Sequence, residues 1–213
     1  MEHDPWIGKD YQDKVGIGGQ CIAVIGHSHY GNKPDFPGYT TGAISSCVHG
    51  GNEDFDGSMA TFDAVPGYFG FNDARDFWPK VIFLNFLPTL VGTSEEKFGY
   101  GSDEQIKAGV HRLLRIFQNY KPTKAFVFSS KAWDCCPKTL EGTEQRLSDR
   151  LGHDFLGFRG GHYGTLEAPT MTFGLRHPMG ASKDRMQRVV KTLMDTPLET
   201  WRDYPVFRGG AAS

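Results

Sequence analysis

The sequence predicts an α/β fold built on a parallel β-sheet, and two observations lead to that prediction. Four short apolar runs are rich in Val, Ile and Phe and lack strict alternation, which is typical of strands buried on both faces. Segments with helical periodicity lie between these runs, as right-handed βαβ units require. The four runs are Cys21–Ile25, Val81–Leu84, Ala125–Phe128 and Met171–Leu175.

Cap residues and apolar stripes predict the helices. Ser102, followed three residues later by Gln105, forms a capping-box pattern at the start of a helix over Asp103–Tyr120. Ser182 is a candidate N-cap for a helix that ends near Met194. Shorter apolar patterns predict two more helices, over Asn72–Trp78 and Thr143–Leu151.

Length and composition predict one domain over residues 1–213. A polar segment rich in Gly and Pro, at about 31–70, is too long for an ordinary connection and is interpreted as an insertion. The net charge of −2 means that any contact with nucleic acid depends on a local basic patch. No apolar run approaches the roughly 20 residues that span a bilayer, and the charged N-terminus resembles no secretory signal. We therefore expect a cytoplasmic monomer without membrane contact.

Chemically active side chains follow all four predicted strands. In open parallel sheets, ligands bind beyond the carboxyl ends of the strands, where side chains from different strands meet. The segments at these ends are GHSHYG at 26–31, NFLP at 85–88, SSKAW at 129–133 and RHPMGAS at 176–182. The sequence therefore predicts a site at this edge of the sheet.

The same segments resemble, in order and spacing, the motifs of the uracil-DNA glycosylase superfamily. GHSHYG resembles the GQDPYH motif, VIFLNFLPTLVG at 81–92 resembles a strand that ends in Asn, and RHPMGAS resembles HPSPLS. KAFVFSSKAW at 124–133 corresponds to an apolar strand that ends near Trp. The resemblance covers roughly residues 20–195. It implies a three-layer α/β/α fold with a central four-stranded parallel sheet, and hydrolysis of the N-glycosidic bond of a flipped-out base in DNA, without a metal or cofactor.

The resemblance also assigns roles to individual residues. His177 matches the histidine that donates a hydrogen bond to the departing base, where negative charge develops. Asn85 can offer a donor and an acceptor to a pyrimidine edge. Tyr30 matches the tyrosine that crowds the pyrimidine C5 position. The other substrate-binding candidates are Gly26, His27, Phe69 and Phe71, although either Phe is equally well explained as a core residue. Ser182, Lys183 and Arg185, at a helix start, are candidates for binding DNA phosphate.

Two positions depart from the superfamily pattern. Ser28 lies where the best-known branch carries the Asp that positions the attacking water, and His29 replaces a Pro. Other branches have Asn there and are active, so Ser28 is expected to hold the water, with His27 or His29 as a weak base. Ala181 matches the wedge residue but is too small to fill the gap that a flipped base leaves. Single-stranded DNA, or a modified or destabilised base, is therefore the expected substrate.

Two other functions remain open at this point. The first is a binding module of the same fold that recognises modified DNA without turnover, an alternative that Ser28 keeps alive. The second is a metal-dependent hydrolase that uses His27 and His29. Such a metal would need a further ligand, for which His49, His153 and His162 are the histidine candidates. The four cysteines show no metal-binding spacing and are interpreted as core residues.

Overall fold

A single mixed β-sheet forms the centre of the molecule in a computed structural model, which describes residues 1–31, 34–49, 60–93, 99–136, 159–164 and 169–197. The strands are β1 (Trp6–Ile7), β2 (Ile22–Gly26), β3 (Val81–Asn85), β4 (Lys124–Val127), β5 (Arg159–Gly164) and β6 (Pro169–Gly174). Their order across the sheet is β1-β3-β2-β4-β6-β5.

The four strands predicted from the apolar runs are mutually parallel and occupy the middle of the sheet. The prediction of a four-stranded sheet is wrong, because β1 and β5 add antiparallel pairs at the two edges. Neither edge strand has an apolar run. β1 has only two residues, and β5 has the sequence RGGHYG.

Helices cover both faces of the sheet and complete an α/β fold. They are α1 (Lys9–Gln12), α2 (Tyr39–His49), α3 (Ala60–Tyr68), α4 (Ala74–Phe77), α5 (Asp103–Tyr120), α6 (Ser130–Cys135) and α7 (Lys183–Asp195). Short 3-10 helices span Trp78–Lys80 and Pro178–Gly180. Within the described residues, no helix has the length and apolar character needed to cross a membrane.

Two separate clusters of buried side chains define the layers. Alternate residues of β2 point to opposite faces, with Ile22 and Val24 in one cluster and Ala23 and Ile25 in the other. The first cluster packs α2, α3 and α7 against the sheet, and the second packs α1, α5 and α6 against the opposite face. The arrangement is a three-layer α/β/α sandwich.

The helix predictions have different outcomes. Ser102 and Gln105 form the predicted capping box, and α5 has the predicted bounds. The segment 72–78 contains the short helix α4, and α7 begins directly after Ser182. The predicted insertion at 31–70 carries α2 and α3, which pack against the sheet. The helix predicted over residues 143–151 lies outside the described residues.

Candidate active site

Four polar segments meet at the carboxyl edge of the parallel strands. The strand order reverses at β2, because the chain passes from β2 to β3 on one side and from β4 to β6 on the other. Such a reversal opens a crevice between the ends of the two strands where the connections diverge. His27 follows β2 and Lys131 lies in α6, directly after β4. These two residues therefore lie on opposite sides of the crevice.

Asn85 ends β3 beside Gly26, the last residue of β2 and its partner in register. A β-carbon on Gly26 would lie 2.1 Å from Oδ1 of Asn85, so only glycine permits this approach. Asn85 is 5% exposed, and no hydrogen bond with a described residue engages its side-chain amide. The side-chain amide is therefore packed against Gly26, while its N–H donor and its oxygen acceptor can both bind a ligand.

A buried arginine holds the backbone of Asn85 in place through a hydrogen bond. Arg112 of α5 is 1% exposed and donates to the main-chain carbonyl of Asn85. The same guanidinium donates to the carbonyl of His3 and, over 2.9 Å, to the carboxylate of Glu2. Burial lowers the pKa of Arg112, and the charge of Glu2 opposes that shift. The end of β3 is thus connected to the N-terminal segment through one charged group.

The His27 imidazole has one partner and one open nitrogen. Its Nδ1 lies 3.1 Å from Oγ of Ser28, while its buried Nε2 has no hydrogen-bond partner in the described chain. Burial, together with the nearby charges of Lys131 and His177, lowers the pKa of His27 to about 4. The backbone of Tyr100 lies near the ring and opposes this lowering of the pKa, but it forms no hydrogen bond of normal geometry with His27. His27 is therefore neutral at pH 7.

His177 begins the 3-10 helix that follows β6. Its Nδ1 accepts a hydrogen bond from the backbone N–H of Met179 at 3.3 Å. In the neutral ring, this bond fixes the proton on Nε2. The ring is exposed, yet the surrounding protein removes enough water to lower its pKa below the usual value. His177 is therefore a neutral donor at pH 7, and it lies close enough to His27 for the two charges to interact.

Lys131 was missed by the sequence analysis. Its ammonium lies 4.3 Å from the ring centroid of Tyr100. Tyr100 also lines an open cavity of about 530 Å³, together with residues of the segment after β3 and the start of α5; the others are Val91, Gly92, Gly99, Gly101, Ser102 and Gln105. The only sequence signal for Lys131 is its place directly after a strand, since a single Lys there is indistinguishable from a surface residue.

A tryptophan ties α6 to the end of β6. Trp133 is 5% exposed, and its indole packs so closely on Gly174 that a β-carbon there would lie 2.5 Å from the ring. The backbone segment that leads to His177 therefore rests on the helix that carries Lys131.

The structure does not bring His29 into this group. Its Nε2 lies 2.9 Å from Oγ1 of Thr40, and its ring packs against His3, Tyr39 and Phe62. Burial lowers its pKa to about 3. The ring is a core element in contact with α2 and α3, so the expectation that His29 acts as a base, or pairs with His27 on a metal, finds no support in its position.

The predicted aromatic candidates lie in different places. The ring centroid of Phe69 lies 5.0 Å from that of Phe126 and 5.1 Å from that of Phe77. The ring centroid of Phe71 lies 5.5 Å from that of Phe77. Both rings contribute to the core beneath α3 and α4, as the core interpretation of these residues predicted. Tyr30 is half-buried after the turn that follows β2.

The phosphate candidates lie at the exposed start of α7. Ser182 is its N-cap residue, but its side chain makes no capping hydrogen bond, and Lys183 and Arg185 are exposed in the first turn. Lys183 extends toward Gly67 of α3, where a β-carbon would meet its Cε at 3.2 Å. Ala181 is half-buried against the core.

The described part of the chain contains no set of side chains that could form a metal centre. No group of three His, Cys, Asp or Glu residues there could hold an ion. His153 lies outside the described residues, as does the side chain of His162.

No protein-family model matches the chain, and no curated protein matches it in sequence. The functional argument therefore depends on the geometry of the site.

Proposed function

We propose that the chain is an N-glycosidase of uracil-DNA glycosylase-like fold, which hydrolyses the bond between deoxyribose and a flipped-out pyrimidine. The observation that carries the proposal is the convergence at one sheet edge of an open Asn85 amide and a neutral His177 donor, with His27 between them. Convergence of a base-reading amide and a fixed donor is what release of a pyrimidine anion requires.

The spacing of the strands fits a pyrimidine ring. β3 and β6 are separated by β2 and β4, so their ends are about 14 Å apart at the usual distance between neighbouring strands. Side chains of Asn and His that extend toward each other from these positions leave room for one six-membered ring. Gly26, which has no side chain, leaves the space that the Asn85 amide needs to lie against the end of β2.

The proposed chemistry assigns a role to each group. Asn85 pairs with the edge of the base. As the C1′–N1 bond breaks, both of its electrons pass to the ring, and the Nε2 proton of His177 stabilises the negative charge on the base oxygen. Water then forms the new bond to C1′ and gives up one proton. His27, with Nδ1 bound to Ser28 and Nε2 open, is the group best placed to accept that proton.

The test is a set of single-stranded oligonucleotides, each with one uracil, 5-hydroxymethyluracil or glucosylated pyrimidine, read out by alkaline cleavage. We expect strand breaks at the modified position for at least one substrate. His177→Ala should reduce the rate by about 10²–10³, the usual cost of one preorganised donor. His111→Ala, which removes an exposed histidine on α5, is the matched control and should leave the rate unchanged.

A binding module is the second candidate, and Ser28 is the observation that favours it. Without a carboxylate at this position, the site has a weaker means of activating water. Tight binding of a modified oligonucleotide without cleavage, reduced by Asn85→Ala, would support this function. Oligonucleotides that all remain intact at high protein concentration would refute the glycosidase.

A further inference from the structure

An exposed tyrosine ring lies beside the candidate active site. Tyr100 is 56% exposed, although a tyrosine ring is most stabilising where its apolar faces are covered. Its backbone lies near the imidazole of His27, so the residue borders the crevice. The ammonium of Lys131 lies 4.3 Å from the ring centroid, and this cation–π contact favours one orientation of the ring. Tyr100 therefore presents an oriented aromatic surface next to the site.

A glycine on each side defines the turn that carries Tyr100. Gly101 has a φ of +85°, a conformation that favours glycine, and a β-carbon there would lie 2.7 Å from Cδ1 of Leu87. A β-carbon on Gly99 would lie 2.9 Å from Cγ1 of Val91. Both close approaches hold the turn against the segment that follows β3. The ring is therefore positioned by the same segment that borders the candidate active site.

The ring lines the open cavity of about 530 Å³, and the cavity wall suits a flat, uncharged ligand. Two polar side chains of the wall are engaged in bonds within the protein. Ser102 accepts from the backbone N–H of Gln105, and the Gln105 amide donates to Thr89 and to the carbonyl of Leu90. Val91 and the glycines of the wall add apolar and backbone surface. A ligand there gains mainly from contact with the ring and with this surface.

The charges around the cavity distinguish the base of a nucleotide from its phosphate. Asp103 and Glu104 are exposed in the first turn of α5, next to the cavity wall. Hydrogen bonds from its own backbone N–H and from Ser102 lower the pKa of Glu104, so this carboxylate is charged at pH 7. Negative charge disfavours a phosphate at the start of the helix, whereas the Lys131 ammonium beside the ring favours one. A nucleotide at Tyr100 is therefore expected to place its base in the cavity and its phosphate toward Lys131.

We propose that this cavity is a second base site, which holds the nucleobase adjacent to the flipped pyrimidine in the same chain, stacked on Tyr100. The inference rests on the proposed function and adds that the substrate is bound through two neighbouring nucleotides of a single strand. In a duplex, the neighbouring base is paired and stacked, and it must leave the helix to reach the ring. A single strand stacks on an aromatic ring without this cost.

Fluorescence anisotropy with dye-labelled single-stranded oligonucleotides tests this inference without turnover. The reference oligonucleotide carries one 2′-fluoro-2′-deoxyuridine, whose glycosidic bond resists hydrolysis, between two adenines. In two further oligonucleotides, one of these adenines is replaced by an abasic spacer that keeps the phosphate. We expect one of the two spacers to weaken binding by the wild-type protein about 5- to 150-fold, the usual value of one base stacked on an aromatic ring.

Variants of Tyr100 assign this loss to the ring. Tyr100→Ala should bind the reference oligonucleotide more weakly by the same factor, with no further loss from the spacer. Tyr100→Phe keeps the ring and should behave as the wild type. Tyr120→Ala is the matched control, because Tyr120 is an exposed tyrosine at the other end of α5. It should leave all three affinities unchanged, and thermal unfolding should show that the Tyr100 variants are folded.

Three results would overturn the inference. The first is equal binding of the three oligonucleotides by the wild-type protein, or no binding of any of them. The second is a spacer effect that persists in Tyr100→Ala, since the neighbouring base would then be bound elsewhere. The third is a Tyr100→Phe variant that behaves as Tyr100→Ala, since the hydroxyl group and not the ring would then make the contact.

The two proposals fail in different ways. If binding depends on the neighbouring base and on Tyr100, but no oligonucleotide with uracil or a modified pyrimidine is cleaved, the second base site stands and the glycosidase function falls. If such oligonucleotides are cleaved but the reference and spacer oligonucleotides bind equally, the function stands and the second base site falls.

Discussion

Replacement of Arg112 by Met removes a buried side chain that links both α5 and the N-terminal segment to the backbone of Asn85. The change deletes a buried guanidinium that donates to the carbonyls of Asn85 and His3 and to the Glu2 carboxylate. Loss of one partner from a buried charged network costs about 3–5 kcal/mol, because the remaining groups lose their donors without regaining water. In a chain of this length, that corresponds to a fall in Tm of at least about 6 °C.

The assay is urea unfolding followed by circular dichroism, with Arg115→Met as the matched control. Arg115 is on the same helix and contacts the same Glu2 carboxylate, but its side chain is 57% exposed. An exposed pair is worth at most about 1 kcal/mol, so this control should change the unfolding free energy little. If Arg112→Met loses no more stability than Arg115→Met, the buried network does not hold this end of the sheet.

Three further predictions follow from the site and the core. Gly26→Ala should displace the Asn85 amide, which a β-carbon would meet at 2.1 Å, and reduce base release at least about tenfold in a folded protein; Gly42→Ala, where a β-carbon meets nothing within 4 Å, should not. The His27 imidazole should titrate near pH 4 by NMR. Since the unfolded chain takes up that proton at the ordinary pKa, His27 makes stability fall as the pH drops from about 6.5 to 4, and a titration near 6.5 would contradict the burial argument. Burial raises the pKa of Cys47 to about 12, so a thiol reagent should label it only on unfolding.

The parts of the fold that depend on local pattern could be predicted from the sequence. Unbroken apolar runs marked the four parallel strands, because strands covered on both faces need apolar residues at every position. A capping pair and an apolar stripe marked α5, because the cap satisfies the first turn of a helix and the stripe is the face that packs against the sheet. The edge strands escaped prediction, since β5 is polar and rich in Gly and its pairing with β6 is a tertiary contact.

The site was only partly predictable. Position after a strand was sufficient to select His27, Asn85 and His177, but it could not decide which way a side chain turns beyond the strand end. His27 therefore faces the crevice, while His29, two residues later, enters the core. Arg112 has no local signal, because a charged residue in an amphipathic helix is normally solvated and only its contacts with Glu2 and Asn85 explain its burial.

The packing of Trp133 on Gly174 has a practical consequence. The indole touches the strand that ends three residues before His177, and it lies two residues after Lys131 on its own helix. A molecule that enters between these two segments and shifts either of them must alter the surroundings of this fluorophore. Intrinsic emission should therefore report occupancy directly, and candidate nucleobases can be screened with unlabelled protein before any reaction product has been identified.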